Sequence, residues 1–153
     1  MKHKARRITL SIIEGFIGLC AVGGGLAILT HAFNFDQWLP VEWLQGTPFS
    51  DYTIPGLLLL IVVGGGMLLA ATTIFVQREW AVLLSVAMGL VMIGFEAFEV
   101  AILDRFAQAV IPSTIVQQVL MAGLGLVIFG LAFSLWMSEY RQHHFPVKHL
   151  SHA

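Results

Sequence analysis

The run IPGLLLLIVVGGGMLLAATTIFVQ, from Ile54 to Gln77, decides the fold. No charged side chain interrupts it. At about 1.5 Å per residue it is long enough to cross roughly 30 Å of hydrocarbon as one helix. Three more runs of the same kind flank it, at about 8–33, 80–103 and 114–138, and together the four use most of the chain. The composition agrees: 58% of residues are hydrophobic and 11% charged, whereas a soluble domain carries about 25% charged residues. Lipid is therefore the expected solvent. The expected fold is all-α, an integral membrane up-and-down four-helix bundle forming a single transmembrane domain over 1–153, with a histidine-rich tail at 139–153.

Outside these runs, charge sets the orientation. Lys2, Lys4, Arg6, Arg7, Arg78, Arg141 and Lys148 fall on one side of such a bundle and only Arg105 on the other. Under the positive-inside rule the first set is cytoplasmic, which predicts both termini inside. The aromatic residues suit the same orientation, with Trp38, Trp43, Phe49 and Tyr52 at the outer interface and Trp80, Trp136 and Tyr140 at the inner one. The basic start followed by an apolar run resembles a signal peptide, but no small-x-small cleavage site follows, so the run is read as a retained first helix. Charge that sits at segment ends and almost never within the apolar runs, with a formal net charge of −1, excludes a nucleic-acid-binding surface as the main function. Cys20 is the single cysteine, which excludes a disulfide framework and a thiolate metal cluster. It is read as a small packing residue.

Two glycine runs, Gly23, Gly24 and Gly25 in the first segment and Gly64, Gly65 and Gly66 in the second, fall near mid-membrane. Small residues let helix backbones approach where lipid supplies no hydrophobic drive for association. They predict a tight hairpin of the first two helices, with Gly123, Gly125 and Gly130 playing the same part on the fourth. The alternative is a discontinuous helix lining a binding site. Before the second segment, Asp51 or Thr53 is a candidate helix cap and Pro55 lies in the first turn, where its missing amide costs nothing. Trp38 and Trp43 suit a short amphipathic segment on the membrane surface, an interfacial lid.

The chemical anomaly is Gly94-Phe95-Glu96-Ala97-Phe98-Glu99 in the third segment, where two acids three residues apart project to one face. A carboxylate at such depth costs a few kcal/mol on insertion scales and needs a partner, a proton or an interior. Residues of matching depth are His31 at the end of the first helix, Gln117 and Gln118 at the start of the fourth, and Asp51 and Tyr52 before the second. With Glu99 as principal acid and Glu96 as the deeper one, these would form an outward-open pocket for a cation, a proton or a small polar solute. In the plainer account Glu99 snorkels to the interface and Glu96 shares a hydrogen bond with a neighbouring helix. Glu14, near the inner end of the first segment, is expected to be neutralised by Arg6, Arg7 or Arg78. His143, His144, His149 and His152 make a tail that takes up metal or is simply solvated, and the second is favoured because no acid or cysteine helps to build a site. No Glu-x-x-His pair, phosphate loop, nucleophile elbow or triad spacing is present. The sequence therefore calls for no enzyme chemistry, no metal and no cofactor.

The segment from Gly46 through Thr47, Pro48, Phe49, Ser50, Asp51, Tyr52, Thr53, Ile54, Pro55 and Gly56 to Leu57 resembles one in a group of small, uncharacterised bacterial membrane proteins with four helices. A glutamate late in the third helix and a glutamine at the start of the fourth recur in that group and match Glu99 and Gln117. The resemblance implies a bacterial cytoplasmic (inner) membrane protein and brings no activity with it. Two functions are expected. The favoured one is a non-catalytic assembly or accessory protein whose partners are the lipid bilayer and a second copy or another membrane protein. The other is a small transporter or binding protein using Glu96 and Glu99.

Overall fold

The computed structural model describes residues 2–34, 39–76, 80–106 and 112–144, and their side chains except those of 2, 3, 33, 43, 102–106, 112–114 and 140–144. Within these residues every regular element is helical, and four of the helices are long and apolar enough to cross a membrane. Helix α1 runs Lys2–Leu29, α3 Ala81–Phe106 and α4 Pro112–His144. Helix α2 is continuous over Thr53–Phe75 but changes pitch: Thr53–Leu57 and Gly66–Phe75 are α-helical, and the stretch Leu58–Gly65 between them is π-helical. The triple glycine does not break the helix. Gly65 and Gly66 keep right-handed helical angles.

The ends depart from the apolar runs in instructive ways. Helix α1 starts before its apolar run and α4 outlasts its own, and Arg7 and Glu139 join across these extensions. The Arg7 guanidinium donates from Nη2 at 2.6 Å and from Nε at 3.1 Å to Glu139 Oε1. Helix α1 stops at Leu29, short of the expected Phe33. His31 takes the left-handed conformation (φ 52°) that commonly ends helices, and its amide falls back on the carbonyl of Ile28. A 3₁₀ turn, Ala32–Asn34, follows. At the start of α2, Asp51 Oδ1 accepts the backbone N–H of Thr53 at 2.8 Å, so Asp51 is the residue that satisfies the helix start.

Helices α1 and α2 pack along each other, as do α3 and α4, and contacts of α2 with α3 and of α1 with α4 close the ring. The two pairings are tight for one reason. A Cβ on Gly25 would lie 2.7 Å from Leu60 Cβ and 2.9 Å from the Gly56 carbonyl oxygen, and one on Gly89 would lie 2.8 Å from the backbone nitrogen of Phe129. Gly18, Gly56 and Gly64 serve the first contact, Gly125 the second, and Gly66 admits the thioether of Met88 between α2 and α3. The glycine expectation needs correction here. Gly23, Gly123 and Gly130 have open space where a Cβ would sit, Gly24 has only an ordinary contact with Leu59, and Gly65 is exposed. Consecutive helical residues point about 100° apart, so three in a row cannot all meet one neighbour.

The core is a seam of Leu10, Ile17, Met67, Ile74, Met92, Ile128 and Leu135. Large apolar side chains also cover the outside: Phe16, Leu19, Phe75 and Val119 are exposed. Helices apolar on every face are those whose surroundings are themselves apolar.

Candidate functional site

Two groups of polar side chains break this apolar interior, one toward each end of the bundle. At the loop end, the inward stripe of α3 reads Ser85, Met88, Met92, Glu96, with spacings of three or four residues. Glu96 is 8% exposed, and Glu99 is half-buried one turn nearer the loops. Glu96 makes no side-chain hydrogen bond among the described residues, so the hydrogen bond to a neighbouring helix is not formed. The two acids are close enough to influence each other electrostatically.

The loop before α2 folds over this end. Its 3₁₀ turn Val41–Leu44 packs on α3 with Leu44 buried, and Phe49 meets Phe98 edge to face, with ring centroids 6.1 Å apart at 77°. Thr47 holds the bend: its hydroxyl donates to the Leu44 carbonyl at 2.7 Å, and its oxygen accepts the Phe49 amide at 3.2 Å. Gly46 turns the chain with φ 83°, a conformation that suits glycine. The Tyr52 hydroxyl then donates to the Pro40 carbonyl at 3.1 Å. Burial, and after it the negative charges of Glu99 and Glu42, push the Tyr52 phenol up to about 12. Tyr52 and Glu99 thus share one environment.

The remaining members of the expected cluster are placed differently. Asp51 is exposed, and hydrogen bonds from Thr53 hold its carboxyl below the ordinary carboxylate range, with a smaller contribution from the charge of His31. His31 is also exposed, so this pair forms a rim rather than part of the interior. Gln117 is exposed and Gln118 half-buried on α4, and neither makes a side-chain hydrogen bond among the described residues. Trp38, Arg78, His149 and His152, and the side chains of Trp43, Arg105, His143 and His144, lie outside the described residues. Among the described residues no group of three His, Cys, Asp or Glu side chains could hold a metal ion.

Toward the end where α1 begins and α4 finishes, α1 turns Leu10, Glu14, Ile17 and Ala21 inward, and Glu14 is 0% exposed. The expected neutralisation by Arg6 or Arg7 does not occur. Arg7 is engaged by Glu139, and neither Glu14 oxygen has a hydrogen-bond partner among the described residues; Arg78 lies outside them. The polar side chain set against it is Ser85 of α3, also fully buried. Ser85 is near enough to influence the carboxyl, but no hydrogen bond of good geometry closes between them. One turn earlier on α1, the Ser11 hydroxyl donates to the Ala71 carbonyl at 2.8 Å and fixes α1 against α2. Sequence reading missed Ser85 altogether. The signal available was spacing, because Leu10, Glu14 and Ile17 recur as one helical face and Ser85 is in phase with Glu96.

Comparison of the chain with protein-family models, with curated proteins and with solved structures finds no match.

Proposed function

We propose that the chain is a four-span protein of the bacterial cytoplasmic membrane, with both termini on the cytoplasmic side, that binds a proton or small cation through Glu96 and Glu99 at the outer end of its bundle. The observation that carries this reading is the inward turn of Glu96, 8% exposed and without a side-chain hydrogen bond among the described residues. An acid at this depth marks an ion or proton pathway by default, since lipid offers no solvation and an apolar residue would insert more readily. The folded loop, with Phe49 on Phe98 and Tyr52 on Pro40, supports the reading by screening that end of the bundle from bulk water. The orientation rests on the clustering of Lys2, Lys4, Arg6 and Arg7 at the start of the chain. Membership of the bacterial group that the 46–57 segment resembles is part of the same proposal.

The test is thermal unfolding of the detergent-purified chain with sodium, potassium, magnesium or altered pH, comparing the wild type with Glu96→Gln and Glu99→Gln. A ligand present at about 100 times its Kd stabilises by about 2.7 kcal/mol through mass action. Stabilisation by one ion that disappears in either variant is the expected outcome. Curves indifferent to every ion and to both substitutions would sink the reading.

A second reading, a membrane assembly protein, is favoured by one observation. An open apolar groove of about 320 Å³ runs between α1 and α2, lined by Gly15, Leu19, Leu68, Ala71 and Thr72 among others. Small residues of this kind admit a partner helix. Filling it with Gly15→Phe would dissociate an oligomer that uses it, read as particle mass in detergent.

A further inference from the structure

We propose that Glu14 and Ser85 form a proton-binding site inside the bundle, separate from the cluster around Glu96. Three buried polar atoms carry the inference: both carboxyl oxygens of Glu14 and the hydroxyl oxygen of Ser85, none of which has a hydrogen-bond partner among the described residues. A buried acceptor left unpaired costs about 1–3 kcal/mol, more when charged. A bare carboxylate is a pure acceptor, whereas a protonated one gains an O–H donor. A proton therefore turns Glu14 and Ser85 into a pair in which each group can donate to the other.

The groups facing Glu14 decide between a proton and a metal ion. Helix α2 contributes no titratable side chain over Thr53–Phe75. Among the described side chains helix α4 contributes Glu139, which is engaged by Arg7 two turns away along α1. Helix α3 contributes Ser85, and its next acid, Glu96, lies about 16 Å further along the helix at about 1.5 Å per residue. On α1 itself the inward neighbours are Leu10 and Ile17. Among the described residues, one carboxyl with one hydroxyl set against it cannot supply the six or more oxygens that a hard cation such as calcium needs. They suffice for a proton.

The site is tested on the full chain in proteoliposomes with dicyclohexylcarbodiimide, an apolar reagent that adds to the protonated form of a carboxyl. Adducts are located by peptide mass spectrometry from mildly acidic to mildly alkaline pH. The expected result is an adduct on Glu14 that fades as pH rises, is indifferent to sodium at fixed pH, and persists in Glu96→Gln. Because the reading is made on the unsubstituted chain, it does not depend on a variant folding. No adduct at any pH, an adduct independent of pH, or protection by sodium would each overturn the proposal. In Ser85→Ala the pH profile of the adduct is expected to move, and an unmoved profile would remove Ser85 from the site. Persistence of the Glu14 adduct in Glu96→Gln also separates this site from the proposed function: either can fail while the other stands.

Discussion

Tyr52 gives the loop-end cluster a spectroscopic reporter. Its phenol is pushed from an ordinary value of 10.0 up to about 12 by burial and by the charges of Glu99 and Glu42. A group whose folded pKa is raised holds its proton longer in the folded state than in the unfolded one. Its contribution to stability is therefore intact below about pH 10 and is lost as pH climbs toward about 12. Ultraviolet titration should show one phenolate step at this high pH, absent in Tyr52→Phe. Glu99→Gln should bring the step down, because it removes the larger of the two negative influences. A step that stays in place in Glu99→Gln would separate Tyr52 from Glu99. Sequence gave warning of the acids at this scale, since charge in an apolar run is conspicuous. It could not reveal that Asp51 and His31 stand at the rim while Glu14 is fully enclosed. Which way a side chain points depends on the rotation of its helix, and matching depths does not determine rotation.

At the scale of the helices, the four long ones were legible because a helix able to cross a membrane must be long and apolar, and four such runs are plain in the chain. Their rotation was not legible, because these helices are apolar on the outside as well as the inside. Glycine illustrates this. Gly23 and Gly25 are indistinguishable in sequence, yet only Gly25 lies against α2. Gly25→Val is expected to destabilise the bundle by about 1–3 kcal/mol through overpacking against Leu60. Gly23→Ala, with open space around it and a better helix former in place of glycine, should be neutral or stabilising by up to about 1 kcal/mol. Denaturant titration of the two variants in the same detergent checks the contrast, and equal losses would contradict the assigned rotation of α1.

For the whole molecule, the ring is closed by α1 on α4, and the Arg7–Glu139 pair is the polar part of that closure. The side chains are 17% and 29% exposed, between a solvated surface pair worth at most about 1 kcal/mol and a buried one. A double-mutant cycle with Arg7→Ala and Glu139→Ala should give a coupling of about 1 kcal/mol in the stabilising direction. Zero coupling would leave closure to the apolar seam alone. This pair was hidden in the sequence because it joins residues near opposite ends of the chain, and nothing local ties Glu139 to Arg7 rather than to its own neighbour Arg141.

The change of pitch in α2 has its own consequence for how the chain tolerates changes in length. A π-helical turn holds more residues than an α-helical one, so Leu58–Gly65 carries surplus chain within a span that is otherwise regular. Elsewhere in these helices, removing one residue would swing every later side chain by about 100° and turn the core face outward. Within Leu58–Gly65 the surplus can absorb a deletion by tightening into an ordinary α-turn. Single-residue gaps in a scanning library, or between diverged copies of this chain, should therefore gather in this one stretch of the four long helices.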